Sequence, residues 1–214
     1  MRLIAFGCSQ TYGHCLPDCY VKAKSARNGV GIALNPSKMA FAQLVGDYLN
    51  RTVHNLAWPG GSNRNMWYHA VHFDYQPTDM VLCVWTMADR NMVVRKNDTH
   101  HLGPWPGVHP LNKAWQRFTA MSNSDSDSEL TAFHLMDHTH RVVAPKVKKI
   151  LHYKQHNQHY IETPAWCNFR FQNSLQNMVP YEKMDTALDG EHYGVESHKS
   201  IARQMIQDLT TAPN

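Results

Sequence analysis

The chain has 214 residues and a mass of 24.6 kDa, enough for one domain whose hydrophobic core needs no disulfide or metal staples. Hydrophobic residues are 43% and charged residues 18%, which excludes wholesale disorder, collagen and coiled coil, and no apolar run approaches the ~18 residues of a membrane span. The net charge of +4 comes from basic residues scattered along the chain rather than gathered in a stripe, so neither nucleic acid nor a membrane is an expected partner.

In chain order, Arg2 to Phe6 is a short apolar run stopped by Gly7 and predicts a buried strand. Thr11 to Pro36, rich in Gly, Pro, Asn and Cys, reads as a long loop. Ser37 is a candidate N-cap for a helix to about Leu49, with Phe41, Leu44, Val45, Tyr48 and Leu49 on one face. Thr52 to Leu56 predicts a second strand, followed by the turn Trp58-Pro59-Gly60-Gly61. Ser62 or Asn63 then caps a helix reaching about Phe73. Met80 to Trp85 is apolar throughout and predicts a strand buried on both faces.

The middle is less regular. Asn97 to Pro110 reads as loop and Leu111 to Met121 as helix, and Ser122 to Glu129 caps a long helix extending to about Tyr153. Tyr160 to Thr163, stopped by Pro164, predicts a fourth core strand, and Val195 to Leu209 a last helix with Ile201, Met205, Ile206 and Leu209 facing inward. Strands alternating with helices argue for a parallel sheet with crossover helices, without internal repeats or a second domain. The five cysteines (Cys8, Cys15, Cys19, Cys83, Cys167) are odd in number and irregular in spacing. They predict free thiols in a reducing compartment. The opening MRLIAFGCSQ does not read as a secretory leader, so a cytoplasmic protein is expected.

Three segments could carry chemistry. Gly7-Cys8-Ser9-Gln10-Thr11-Tyr12-Gly13 follows the first strand, and ligands of parallel sheets sit beyond the carboxyl ends of the strands, where Ser9 could serve as a nucleophile. It is neither a P-loop nor a G-x-S-x-G elbow, and a plain turn would look similar. In Asp189-Gly190-Glu191-His192, an Asp three residues before a His can reach its Nδ1–H and leave Nε2 free to take a proton; an Asp-Gly turn beside a surface His is the bland reading. Asn55 to Asn63 offers glycine amides that a ligand can approach closely, or an ordinary strand-to-helix turn.

Together, in this order and spacing, the segments resemble the SGNH (GDSL-type) hydrolase family. Gly7 to Gly13 looks like its Gly-Asp-Ser-x-Thr-x-Gly block with Cys8 in place of Asp; Asn55 to Ser62 looks like its second block, which makes Gly60 the oxyanion-hole glycine; Asp189-Gly-Glu-His192 matches Asp-x-x-His. A Gly-Cys-Ser first block and a Trp-Thr…Arg third block resemble a viral or bacterial branch of that family. The resemblance implies a three-layer α/β/α sandwich around a parallel sheet of about five strands. It further implies one domain over 1–214, with a variable insertion at about 95–160. One departure stands out: the third block normally reads Gly-x-Asn-Asp, whereas Thr86-Met87-Ala88-Asp89 stands here, so the Asn donor to the oxyanion is absent and Thr86, Arg90 or Asn63 would have to substitute.

The implied activity is metal-independent, cofactor-free hydrolysis of an O-acyl ester on a carbohydrate or another small substrate. Ser9 is the nucleophile, His192 the base and Asp189 its orienter, with the Ser9 and Gly60 amides as oxyanion donors. An acyltransferase, or a non-catalytic carbohydrate-binding or structural module on the same fold, is the alternative. His152, His156 and His159 at i, i+4 and i+7, and His134 with His138, would share helical faces able to bind Zn²⁺ or Ni²⁺, though a solvated face explains them better. Trp105, Trp115 and Trp166 suit sugar rings or acyl chains, or simply the core, and Lys146, Lys148 and Lys149 a solvated face.

Overall fold

Uninterrupted apolar runs build the two central strands, and everything else is arranged around them. A computed structural model of the protein describes residues 1–22, 30–88, 90–95, 98–102, 111, 113–114, 116–117, 125–156 and 162–211. The chain runs through β1 (Arg2–Phe6), a single helical turn α1 (Ser9–Tyr12), a small ribbon of β2 (Val21–Lys22) and β3 (Val30–Gly31), and α2 (Phe41–Tyr48). It continues through β4 (Thr52–Asn55), α3 (Asn63–His72), β5 (Met80–Trp85) and an antiparallel hairpin of β6 (Asn91–Arg95) and β7 (Asp98–Leu102). Then come α4 (Asp125–Val143), β8 (Lys149–Lys154), β9 (Phe171–Ser174) and α5 (Val195–Thr211).

The main sheet has five strands in the order β4-β1-β5-β8-β9, all parallel. Side chains alternate across it with the two-residue period of a strand. Leu3, Ala5, Leu82, Val84, Leu151 and Tyr153 pack against Phe41 and Val45 of α2 and Ile201 and Met205 of α5. Ile4, Phe6, Val81, Cys83 and Trp85 pack on the other face against Met66 and Ala70 of α3 and Phe133 and Met136 of α4. Helices cover both faces, giving the expected three layers. The chain leaves β1 for β4 on one side and returns to β5 on the other, so the order reverses beside β1. In open α/β sheets a crevice forms at such a point, beyond the carboxyl ends of the strands.

Several local expectations are corrected. The helix expected from Ser37 starts at Phe41, because Ser37 closes a separate turn: its Oγ accepts the Met39 N–H and donates to Asp18. The long helix expected to reach Tyr153 stops at Val143. Pro145 lacks the N–H that would continue the ladder, the chain makes a 3₁₀ turn over Ala144–Lys146, and the β-branched and aromatic run behind it becomes β8. This strand, not 160–163, is the fourth member of the core in sequence; residues 157–161 lie outside the described residues, and Glu162 and Thr163 are not in a strand. The loop expected from Asn97 instead contains β7.

The five cysteines are all free and buried. No helix among the described residues is long and apolar enough to cross a membrane.

Candidate active site

Gly7 lets β1 turn abruptly into α1, because a Cβ there would collide with the Thr11 side chain. Cys8 stays extended as the N-cap, and Ser9 takes the first helical position, so its amide is one of the first-turn N–H groups without an intrahelical acceptor. Gly13, with φ of 74°, ends the turn in the left-handed conformation that glycine adopts most readily. Ser9 is 7% exposed. Its Oγ lies 4.0 Å from Cys8 Sγ and makes no hydrogen bond to His192 among the described residues.

The segment before α5 brings the second half of the site. Asp189 Oδ2 accepts from His192 Nδ1 at 2.6 Å, while Oδ1 accepts the amides of Glu191 and His192, each at 3.1 Å. Burial alone would push the Asp189 carboxyl up; the hydrogen bonds from the His192 ring and from the two amides outweigh it and hold the group down at about 2. The same bond fixes the imidazole with Nδ1 protonated and Nε2 free. Around this pair the loop is closed by Ala187 N–H to His192 O at 2.8 Å and by Asp185, whose carboxylate accepts the amides of Glu196 and Ser197 at the start of α5. Gly194 is required, because a Cβ would strike that Asp185 carboxylate.

Hydrogen bonds between distant segments join the halves. The Gln10 side chain accepts the Tyr193 amide at 3.2 Å, and the Cys15 carbonyl accepts the Leu188 amide at 3.1 Å. The His14 ring meets the His192 ring edge to face, centroids 5.3 Å apart, and the His14 amide bonds the Ser9 carbonyl. His14 Nδ1 is buried without a hydrogen-bond partner, and burial, then the neighbouring His192, push its basicity down. Cys15 Sγ, an Asp189 oxygen and a His192 nitrogen lie within 4.8 Å of one another, a spacing a metal could bridge; the Asp189–His192 bond accounts for two of the three groups without one.

On the other side of Ser9, Asn55 ties β4 to α1 through its amide to the Thr11 carbonyl at 2.7 Å. The following loop packs on β1, with the Trp58 amide bonding the Gly7 carbonyl. Gly60 has φ of 77° and open space beside its Cα, and the Gly61 amide is committed to Trp58. Asn63 spends its carboxamide on the Thr86 main chain, accepting its N–H at 2.9 Å and donating to its carbonyl at 3.2 Å. The Thr86 hydroxyl donates to Gln155 Oε1 at 3.0 Å, and Cys8 donates to the same oxygen.

Ala88 and Arg90 line a cavity of about 510 Å³ between α3, α4 and β6, together with Asn63, Arg64, Trp67 and Asp127. Asp89 lies outside the described residues.

Of the two expected histidine faces, His134 and His138 do share an exposed face of α4, whereas His152 lies on a strand and not on a helix. His152 points from β8 into the core, where Trp85 Nε1–H donates to its Nδ1 at 2.9 Å and His140 meets its Nε2 at 3.1 Å; His156 follows the strand, and His159 lies outside the described residues. His138 accepts from Trp67, and His134 stacks on Trp166. Trp105 and Trp115 lie outside the described residues. Lys149 belongs to β8, and its ammonium donates to the Leu209 carbonyl. Sequence reasoning gave no role to Gln10, His14, Cys15 or Gln155; their only signal was a polar or thiol residue next to a strand end or a glycine turn.

No protein-family model matches the chain, and no curated protein matches it by sequence. Solved structures do share its fold. A carbohydrate esterase described as having divergent catalytic and non-catalytic binding functions superposes with a TM-score of 0.57 at 12% identity, covering 100% of this chain and 69% of that one. An acetyl xylan esterase from Butyrivibrio proteoclasticus gives 0.53 at 11% identity over 97% of this chain and 63% of its own. A protein assigned to the G-D-S-L lipolytic family from Desulfitobacterium hafniense gives 0.51 at 8% identity, covering 96% and 98%. The chain thus spans only 63% to 69% of the two carbohydrate esterases and nearly all of the G-D-S-L protein. Its five-stranded parallel sheet and covering helices make up an α/β fold that these esterases and the G-D-S-L protein share.

Proposed function

We propose that the protein is a serine ester hydrolase that removes an O-acyl group from a carbohydrate or another small substrate. One observation carries the reading: a 2.6 Å Asp189–His192 bond held in the loop that hydrogen-bonds α1, where Ser9 sits at the switch point of the sheet. Ser9 Oγ attacks the acyl carbonyl as His192 Nε2 takes its proton, then returns it to the leaving alcohol; water reverses the sequence to release the acid. Asp189, ionised at any working pH, stabilises the imidazolium. The amides of Ser9 and Gly60 face the oxyanion. Catalytic hydrogen bonds commonly tighten only when substrate binds, which accommodates the absence of a Ser9–His192 bond in the free protein. Labelling by a fluorophosphonate probe, mapped by mass spectrometry, is expected at Ser9. A probe-inert protein would instead favour a carbohydrate-binding module, the reading that alanine at position 88 supports.

In this scheme Arg90 is the third oxyanion donor, because it follows the strand end that carries Thr86 and a guanidinium there can place a donor near the site. Arg90→Ala is expected to lower kcat on p-nitrophenyl acetate by ~10²-fold, the scale of one oxyanion donor, whereas Ala88→Asn brings no gain. A large increase in kcat with Ala88→Asn would show that the position lacks a donor. Turnover should also survive EDTA, and added Zn²⁺ should not raise it, because nucleophile, base and orienter are all side chains of the chain itself. Loss on chelation with recovery on Zn²⁺ would refute this.

A further inference from the structure

Cys15 stands in a backbone conformation that does not suit it. Its φ of 66° lies in the left-handed region, where a residue with a Cβ is strained, yet it is fully buried. Such strain persists where the surroundings over-determine a residue, and it gathers at functional sites. Both halves of Cys15 face the loop that carries Asp189. Its carbonyl accepts the Leu188 amide at 3.1 Å, and its sulfur lies within 4.8 Å of an Asp189 carboxylate oxygen and a His192 ring nitrogen.

The acceptor count leaves room for the thiol. A carboxylate offers about four lone-pair sites. At Asp189 three are taken, by the Glu191 and His192 amides and the His192 ring. Burial, then the adjacent carboxylate, push the Cys15 thiol up to about 12, so it keeps its proton and can act there only as a donor.

We propose that Cys15 is a positioning residue: its S–H occupies the remaining acceptor site of Asp189 while its carbonyl holds Leu188, so that the carboxylate keeps the His192 ring in its proton-accepting orientation. This role rests on the hydrolase reading for its catalytic consequence but not for its structural one. It makes the thiol a fourth member of the relay, acting through Asp189 without touching substrate.

Cys15→Gly separates strain from function, because glycine accepts the left-handed conformation while losing the thiol. We expect Cys15→Gly to keep or raise Tm and to lower kcat roughly tenfold at unchanged KM, the scale of losing a group that orients another. The acid limb of its kcat/KM profile should move, and Cys15→Ser, whose hydroxyl can donate, should recover most of the rate. Independently of turnover, the downfield proton NMR signal of His192 Nδ1–H should shift or broaden in Cys15→Gly and return in Cys15→Ser. Unchanged kcat and an unchanged signal in Cys15→Gly would overturn the proposal. So would equal losses of rate and Tm in both variants, which would mark the sulfur as core packing. A wild-type protein inert to the fluorophosphonate would defeat the hydrolase reading, and the NMR comparison would still decide the role of Cys15.

Discussion

Ser9→Ala is expected to lower kcat/KM on p-nitrophenyl acetate by at least ~10³-fold, the scale of removing a triad nucleophile, and to abolish fluorophosphonate labelling. Its effect on folding should be small. Among the described residues the Ser9 hydroxyl forms only a 4.0 Å contact with Cys8 Sγ, so its removal strands no buried partner there. Alanine is also a better helix former at that position. A shift in Tm of no more than roughly 3 °C follows, since 1 kcal/mol moves a chain of this size by about that much. Loss of activity with an intact fold places Ser9 in the chemistry. Residual activity above about a tenth of wild type would remove it from the mechanism.

The second large effect concerns acid. His198 is 1% exposed on α5, its Nδ1 accepts the Phe41 amide at 3.0 Å, and its ring stacks on Phe41. Burial pushes its basicity down to about 4 against the opposing pull of Asp185. Between pH 6.5 and 4 the unfolded chain binds a proton that the folded chain refuses. Stability is therefore full above pH 6.5, falls through that window and levels off below it. The loss from this one side chain is about 3 kcal/mol at 1.36 kcal/mol per pH unit. His152, also buried and held well below its ordinary value by burial and His140, adds to the loss.

Asp189 acts lower on the scale. Its depressed value of about 2 contributes stability above the ordinary carboxylate range that is lost only as pH falls toward 2. Urea unfolding at pH 7.5, 5.5 and 4 should show the first decline, and His198→Gln should remove its share. Identical declines in wild type and His198→Gln would contradict the assignment.

Much of the architecture was legible along the chain. The apolar runs 3–6 and 80–85 read as strands covered on both faces, because side chains pointing both ways from a sheet would otherwise leave one apolar row in water. Asp189 and His192 were legible for a related reason: three residues apart in a tight turn, the two side chains can meet through local geometry. Where a local signal was outweighed, the reading failed. The capping segment Ser122 to Glu129 and the spacing of His152, His156 and His159 read as one long helix, but Pro145 breaks it, and strand alternation then turns His152 inward onto Trp85.

The rest belonged to the tertiary structure. Asn55 meets Thr11 across 44 positions, Gln155 meets Cys8 across 147, and Gln10 meets Tyr193 across 183. No local pattern records such pairs, because they depend on which strand ends the sheet order makes neighbours. The strained backbone of Cys15 is likewise a product of packing: neither propensity nor spacing assigns a left-handed conformation to a cysteine, and here its carbonyl takes the Leu188 amide while its side chain packs with Leu16, Ala40 and Ala187.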